Sequence, residues 1–268
     1  MTGDFAGRVV IVTGASGGIG EQLALQLAGQ GARLAIAARR ADELARVAAA
    51  CTAAGGKVIS VATDVTDATA CRALVDRTVS HYGRLDMLVN NAGLGMWAKV
   101  REVQDLGIFE RVMRVNYLGA VYCTIAALPK LVESQGRILC ISSLAGRTGV
   151  PLRSGYSASK HAMAGFFDSL RIELRGTGVS VTLVDPGFVG TGAQGRNLSA
   201  SGAPLGHVPI DMNAAMPPAE CARQAIAAAA ARKRELVMTL RAKIGLWLKL
   251  IAPGFIDGMA AKATARGK

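Results

Sequence analysis

The segment from Val9 to Gly20 reads VVIVTGASGGIG, and it joins a strand-like pattern to a glycine-rich turn. Its first four residues are β-branched and apolar, which predicts a buried strand. The turn leads into Glu21–Gly29, where leucines and alanines recur at helical spacing. Strand, glycine turn and helix in this order let the backbone approach a pyrophosphate beside the free N–H groups of a helix N-terminus. The segment therefore predicts the phosphate-binding turn of a dinucleotide-binding α/β fold.

The spacing of the glycines permits two descriptions. Gly14, Gly18 and Gly20 form G-x-x-x-G-x-G, whereas Gly14, Gly17 and Gly20 form G-x-x-G-x-x-G, and neither is the usual G-x-G-x-x-G. A glycine-rich turn can also be purely structural, but its place between a strand and a helix favours phosphate binding. The candidate cofactor contacts in this turn are Gly14, Ser16, Gly17, Gly18, Ile19 and Gly20.

The rest of the chain repeats this alternation of short apolar runs and longer segments of helical period. Such alternation predicts a parallel sheet with helices on both faces. We expect strands at Val9–Val12, Arg33–Ala37, Lys57–Ala62, Met87–Asn90, Arg137–Ile141, Ser180–Val184 and Leu236–Met238. We expect helices at Glu21–Gly29, Asp42–Ala54, Asp67–Ser80, Asp105–Leu128 with its end at Pro129, Tyr156–Arg175 and around Ala225–Ala231. The predicted fold class is α/β: a single-domain, Rossmann-like, doubly wound parallel sheet of seven strands.

Composition narrows the class of protein further. The chain has 268 residues, of which 51% are apolar and 19% charged, so it has enough apolar side chains for a large core and is not a disordered chain. No repeat or linker divides it, and we assign residues 1–268 to one domain with a cofactor-binding part of about residues 1–150. The first apolar run follows Asp4 and lacks the pattern of a signal peptide. No run approaches the about 20 apolar residues that span a bilayer. We therefore expect a cytoplasmic protein.

Cysteine and histidine spacing argues against a disulfide framework or a metal site. The five cysteines are scattered and form no C-x-x-C pair, and the three histidines lack the spacing of metal ligands. We expect reduced, mostly buried thiols and no metal ion.

The residues after the second and third strands indicate which dinucleotide is bound. Arg39 and Arg40 stand where an acidic residue would hold the ribose hydroxyls of NAD, and a guanidinium fork suits the 2′-phosphate of NADP instead. Either arginine could also be a solvated residue at the start of a helix. Asp64 could accept a hydrogen bond from the adenine amino group or cap the next helix, and Val65 adjoins it. We predict NADP(H) as the cofactor.

A tyrosine and a lysine at helical spacing are the strongest candidates for acid–base chemistry. Tyr156 and Lys160 are four residues apart and so share one helical face, where an ammonium beside a phenol favours the ionised form. Such a phenol can exchange a proton with an alcohol or ketone oxygen, and Ser143 could hydrogen-bond the same oxygen. A tyrosine–lysine pair is by itself more often a surface pair, so its order among the other motifs decides the interpretation.

With these motifs in order, the chain resembles the classical short-chain dehydrogenase/reductase (SDR) family over roughly Arg8 to Thr191. Thr13–Gly20 matches the family's T-G-x-x-x-G-x-G, Asn90–Gly93 its N-N-A-G, and Tyr156–Lys160 its Y-x-x-x-K. The family's catalytic asparagine and serine fall at Asn116 and Ser143, and its P-G turn at Pro186-Gly187. The extended branch of the family, with sugar epimerases, has a longer substrate domain than this chain offers.

The resemblance implies an oxidoreductase that transfers a hydride between NADP(H) and a carbonyl or secondary alcohol, with reduction as the physiological direction. Tyr156 would be the general acid/base, Lys160 would assist the phenol and bind the nicotinamide ribose, and Ser143 would polarise the substrate oxygen. Asn116 would hold a water that relays protons to Lys160. The cofactor contacts implied around the nicotinamide are Asn91, Ala92, Gly93, Tyr156, Lys160, Pro186, Gly187, Val189 and Thr191. Family resemblance also implies a homodimer or homotetramer, and the alternative function is a catalytically silent NADP-binding sensor or partner protein.

Two segments interrupt the regular pattern. Residues 187–218 are rich in Gly, Ser, Asn and Pro, and we interpret them as a substrate lid. Leu94 to Trp97, Ala145, Pro151 and Leu152 would complete the substrate side and favour a largely apolar substrate.

The tail of about residues 239–268 is basic and amphipathic. From Arg232 onward there are nine basic and two acidic residues, and Ile244, Trp247, Leu248 and Ile251 share one helical face. This helix could cover the pocket, form a subunit interface or contact an anionic membrane peripherally. The sequence lacks the interleaved aromatic and basic residues that are typical of a nucleic-acid-binding site, so we expect no nucleic-acid partner.

Overall fold

Seven parallel strands form one continuous sheet, as the sequence predicts. The structure is a computed structural model that describes residues 4–207 and 214–265. The order across the sheet is β3-β2-β1-β4-β5-β6-β7, and every neighbouring pair is parallel. The strands are β1 Val9–Thr13, β2 Arg33–Ala38, β3 Lys57–Ala62, β4 Met87–Asn90, β5 Arg137–Ile141, β6 Ser180–Asp185 and β7 Glu235–Val237.

Helices connect the strands and cover both faces of the sheet. Because side chains alternate along a strand, Val10 and Val12 face one core, whereas Val9 and Ile11 face the other. Helices α1, α2 and α7 pack on the first face, and α3, α5 and α6 pack on the second. The α-helices of the described residues are α1 Gly18–Gly29, α2 Ala41–Ala53, α3 Ala68–Tyr82, α4 Gly107–Met113, α5 Gly119–Glu133, α6 Ser154–Glu173, α7 Pro218–Ala230, α8 Leu240–Ile251 and α9 Pro253–Ala265.

The helix expected to end at Pro129 continues to Glu133, so this part of the prediction was wrong. Proline removes one N–H donor, and the carbonyl left without its helical partner is that of Ile125, a residue on the exposed side of α5. Ala127 and Leu131 are buried on the opposite side of the same helix. Their packing stabilises the last turn, and water can solvate the freed carbonyl.

The same stretch is also not one uniform helix. A five-residue π-helical segment, Arg114–Leu118, joins α4 to α5. By length and composition alone, the run Gly107–Glu133 could cross a membrane. The sequence pattern had predicted no such run. Ala120, Cys123 and Thr124 are nevertheless buried against the sheet core, as in the core helix of an α/β fold.

The chain reverses its direction of progression between β1 and β4. The strands after β1 run outward to β3 on one side, and those from β4 run outward to β7 on the other. At such a reversal the crossover helices diverge, and a crevice opens at the carboxyl ends of the two central strands. A ligand site is therefore expected beyond Thr13 and Asn90.

Candidate active site

A cavity of about 670 Å³ lies at this carboxyl edge of the sheet. It is lined by residues that directly follow six strands, from the turn after β1 to Pro186 after β6. The structure brings together the following predicted site residues along it: Gly14, Ser16, Gly17, Gly18, Ile19, Gly20, Arg39, Arg40, Asp64, Val65, Asn91, Ala92, Gly93, Ser143, Tyr156, Lys160, Pro186, Gly187, Val189 and Thr191.

The glycine-rich turn is held by the N-N-A-G segment. The Asn91 Nδ2 atom donates to the backbone carbonyls of Thr13 (2.9 Å) and Gly14 (3.2 Å). The Thr13 hydroxyl accepts from the Asn91 N–H at 3.0 Å and donates to the Val89 carbonyl at 3.0 Å. The two motifs therefore form one hydrogen-bonded unit across β1 and β4.

This turn fits a dinucleotide phosphate. Gly14 and Gly18 have positive φ angles of 66° and 58°, which L side chains rarely adopt. No side chain among the described residues caps the N-terminus of α1, so its first N–H groups remain available to an anion, and the helix dipole adds positive potential there.

Replacing Gly20 by alanine is expected to destabilise the protein by about 1–3 kcal/mol, because the added methyl group would overlap the Gly14 carbonyl oxygen and the Asn91 amide nitrogen. The free energy of unfolding, measured by urea titration, checks this. Gly29→Ala is the matched control at the other end of α1, since nothing lies within 4 Å of its Cβ position. Equal stability of the two variants would contradict the close approach described here.

The arginines after β2 occupy the far end of the cavity. Arg40 donates to the Ser16 hydroxyl at 3.2 Å and pairs with Glu43 at 3.7 Å. Arg39 makes no hydrogen bond or ion pair with any described residue, so its guanidinium is available. Arg196, which the sequence pattern did not predict, also lines this end of the cavity. Burial and the neighbouring positive charge of Arg40 lower the pKa of Arg196.

Asp64 lies on the cavity wall, and its carboxylate is turned into its own loop. Its Oδ1 atom accepts from the N–H and the hydroxyl of Thr66, both at 2.9 Å. The helix α3 is capped instead by Asp67, whose side chain accepts from the Thr69 N–H at 2.8 Å. Of the two roles open for Asp64, capping the following helix is thus excluded.

Tyr156, Lys160 and Ser143 meet at the other end of the cavity. Lys160 is buried; its Nζ atom donates to the Ile141 carbonyl at 2.8 Å and lies 5.9 Å from the Tyr156 ring centroid. No carboxylate among the described residues pairs with it. The Ser143 hydroxyl accepts from the Ala145 N–H at 3.1 Å, which fixes the oxygen and leaves its own proton free to donate.

Asn116 does not line the cavity. It is buried in the π-helical segment, where its Nδ2 atom donates to the Leu94 carbonyl and to the Ser159 hydroxyl, each at 2.9 Å. Its Oδ1 atom accepts from the Leu94 N–H at 2.7 Å. The side chain therefore ties the loop after β4 to α6, directly behind Tyr156 and Lys160. A π-helical segment is frequent at functional sites because it turns one side chain out of the helical register.

The expected substrate side is only partly correct. Leu94, Gly95 and Trp97 line the cavity, whereas Met96, Ala145, Pro151 and Leu152 do not. Met96 is instead fully buried in a small core with Ile108 and Val112. Residues 208–213 of the expected lid lie outside the described residues. The described part is attached to the cavity wall, since the Trp97 N–H donates to the Leu198 carbonyl at 2.8 Å.

The sequence pattern did not predict three basic residues of the cavity. Arg111 lies in α4, Arg153 directly precedes α6, and Arg196 lies in the expected lid. A signal existed for Arg153, because a cation at a helix N-terminus opposes the helix dipole and so calls for another reason to be there. Nothing in the local sequence marks Arg196.

A model of the family described as short chain dehydrogenase matches residues 8–201. The chain belongs to the short-chain dehydrogenase family. Its structure superposes on that of a short-chain dehydrogenase/reductase from Burkholderia phymatum in complex with NAD, with a TM-score of 0.85 and 26% identity, covering 94% of this chain and 96% of the other.

Plant relatives of this family are also similar in sequence. A Sesamum indicum protein named 11-beta-hydroxysteroid dehydrogenase A is 39% identical over 260 residues, which cover 95% of this chain and 74% of the relative. An Arabidopsis thaliana protein named 11-beta-hydroxysteroid dehydrogenase 1A is 44% identical over 198 residues, 73% of this chain. That match spans 56% of the Arabidopsis relative, little more than half of its length.

Proposed function

We propose that this short-chain dehydrogenase is an NADP(H)-dependent oxidoreductase that interconverts a carbonyl group and a secondary alcohol. The observation that carries the proposal is the position of Tyr156, Lys160 and Ser143 on the same cavity as the glycine-rich turn. The glycine-rich turn suits the phosphates of a nicotinamide cofactor. The hydroxyl cluster at the other end of the cavity suits the nicotinamide and the substrate. Reduction of a carbonyl is the proposed physiological direction.

Each side chain of the cluster has a distinct role in this proposal. When bound, the cofactor supplies or accepts the hydride. Tyr156 gives its phenolic proton to the substrate oxygen during reduction and takes it back during oxidation, while Ser143 donates a hydrogen bond that fixes the same oxygen. The buried Lys160 ammonium lies beside the Tyr156 ring and keeps donors for the ribose hydroxyls. Asn116 holds the Leu94 loop behind them, and a water held near it would pass protons toward Lys160.

The arginines at the far end support NADP(H) over NAD(H). Arg39, Arg40 and Arg196 line the cavity beside Ser16, and none of the three faces a buried carboxylate. A guanidinium cluster suits a phosphate dianion, whereas the ribose hydroxyls of NAD are usually held by an acidic residue at this place. Gly187, Val189 and Thr191 after β6 would flank the nicotinamide end.

The substrate side supports an apolar substrate body. Leu94, Trp97, Phe188, Leu198 and Pro204 all line this part of the cavity. The names of the Sesamum and Arabidopsis relatives point in the same direction, since both refer to a hydroxysteroid. We propose that residues 187–218 act as the lid over such a substrate within one catalytic domain.

NADPH oxidation across a panel of ketones, quinones and aldehydes tests this function directly. We expect turnover with at least one carbonyl compound and a clear preference for NADPH over NADH. If NADPH binds but no member of a broad panel is reduced, the protein is a sensor or partner protein that uses the same fold without catalysis.

The tail presents an apolar surface, and the sequence leaves three roles open for it: covering the pocket, forming a subunit interface or contacting a membrane. No described residue of α8 or α9 lines the cavity, so the tail does not cover the pocket. Leu240, Ile244, Trp247 and Ile251 are 57% to 82% exposed, and Arg241 and Lys243 lie exposed on the same helix. We propose a cytoplasmic protein that contacts anionic membranes peripherally through this tail.

Exposed apolar side chains elsewhere suit a subunit interface. We propose that Ile125 on α5 and Ile172 on α6 contact a partner subunit in a homodimer or homotetramer.

Flotation with vesicles tests the membrane contact. We expect the protein to float with vesicles rich in phosphatidylserine at low salt, and to be released at high salt. Trp247→Ser with Ile251→Ser should weaken this partition at least about tenfold, because each apolar side chain buried contributes roughly 1.5–3 kcal/mol. Leu106→Ser, at an equally exposed apolar residue elsewhere, is the control. A wild-type protein that stays unbound at low salt would rule out the membrane contact.

A further inference from the structure

Arg153 lies at the Tyr156 end of the cavity, and no role given above explains it. It lines the cavity immediately before α6, three residues ahead of Tyr156. Its guanidinium carbon lies 4.3 Å from the Tyr156 ring centroid, closer than the Lys160 ammonium. Whatever Arg153 binds therefore lies beside the reacting group.

Aromatic rings surround this guanidinium. Its carbon also lies 5.7 Å from the Trp97 ring centroid and 5.6 Å from that of Phe188. Ring faces attract the cation but offer its N–H donors no strong acceptor. The planar fork of N–H donors therefore needs oxygen atoms from elsewhere, and a pair of oxygen atoms suits it.

No protein group supplies those oxygen atoms. Among the described residues the guanidinium has no hydrogen bond and no ion pair, and its Nε atom is buried without a partner. Burial lowers the pKa of Arg153, as expected for a guanidinium without a carboxylate partner. Arg111 gives the contrast in the same cavity, since it pairs with Asp105 at 2.7 Å and also contacts the Gly202 carbonyl.

We propose that Arg153 binds a carboxylate of the substrate, so that the enzyme acts on an apolar carbonyl or hydroxy compound carrying one carboxylate near the reacting carbon. The proposal rests on the proposed function for the reaction, and it adds the class of substrate. Two parallel N–H···O bonds from one guanidinium match the planar carboxylate, and the Trp97 and Phe188 rings lie around the guanidinium. Of the other cavity arginines, Arg39, Arg40 and Arg196 lie at the phosphate end, and Arg111 is paired with Asp105.

Matched acid and ester substrates test the proposal. With NADPH present, kcat/KM is measured for 3- and 4-acetylbenzoate and for their methyl esters, which differ in the carboxylate charge. We expect the wild type to prefer an acid, and Arg153→Met to lower kcat/KM for that acid by about 10- to 150-fold while changing the ester little. An equal loss for acid and ester would overturn the proposal, because it would mean that Arg153 only positions Tyr156.

A binding measurement separates this proposal from the proposed function. The chain has two tryptophans, so in the Trp247→Phe background the fluorescence of Trp97 reports directly on the surroundings of Arg153. We expect 4-acetylbenzoate to quench it in the NADP⁺-loaded protein, and Arg153→Met to weaken that binding by the same factor. Binding of the acid without turnover would support the carboxylate site and count against the oxidoreductase. Absent binding, or equal binding of acid and ester, would overturn the carboxylate site.

Discussion

Replacing Tyr156 by phenylalanine is expected to lower kcat by about 10²- to 10⁴-fold and to leave NADPH affinity nearly unchanged. The variant removes the only atom of the side chain that can exchange a proton with the substrate oxygen. It keeps the ring, and with it the contact to the Arg153 guanidinium at 4.3 Å. Steady-state kinetics with the best carbonyl substrate, together with NADPH titration, measures both quantities.

Tyr117→Phe is the matched control for this experiment. Tyr117 lies in the π-helical segment and packs edge-on against Phe166, with the ring centroids 6.2 Å apart, and it does not line the cavity. Its loss of a hydroxyl should leave kcat unchanged. Retained turnover in Tyr156→Phe would remove Tyr156 from the acid/base role.

Arg39→Ala is expected to lower kcat/KM for NADPH by about 10- to 150-fold and to change the value for NADH little. A hydrogen bond to a charged group contributes roughly 1.5–3 kcal/mol, and NADH lacks the 2′-phosphate that would accept this bond from Arg39. Arg39 is the clearest candidate because it makes no hydrogen bond or ion pair with any described residue, whereas Arg40 is already engaged by Ser16 and Glu43. The ratio of the two specificity constants is the measurement.

The control for the cofactor experiment is Arg46→Ala. Arg46 is exposed and bound to Glu21 at 2.7 Å and to Glu43 at 3.1 Å, and it does not line the cavity. Its removal should leave the cofactor ratio intact. An equal loss of both nucleotides in Arg39→Ala would contradict the proposed contact with the 2′-phosphate.

The strands were predictable from sequence because their residues are buried on both faces of a parallel sheet. A run such as Val9–Val12 carries no polar side chain and is buried. Such a short, wholly apolar run has few alternatives to a central strand of a parallel sheet. The glycine-rich turn was predictable for a similar reason, since close contacts at Gly14, Gly18 and Gly20 leave no space for a side chain. Local chemistry was sufficient in both places.

The errors arose where tertiary packing overrides local preference. The helix through Pro129 persists because Ala127 and Leu131 are buried, which the sequence around the proline does not show. Met96 was expected at the substrate and is instead in a core, where its sulfur accepts from the Gly155 N–H at 3.1 Å. The surroundings of Arg153 include Trp97 and Phe188, which come from two distant loops and which the sequence near Arg153 does not reveal. Contacts between remote segments were the information that the sequence pattern lacked.

Transfer of deuterium tests the central claim most directly. NADPH labelled with deuterium at nicotinamide C4, on one face of the ring at a time, is incubated with the best carbonyl substrate, and the alcohol product is analysed by mass spectrometry. The account predicts that the label from one face arrives at the former carbonyl carbon, and that Tyr156→Phe forms this product about 10²- to 10⁴-fold more slowly. Product that carries no deuterium from either face would contradict it.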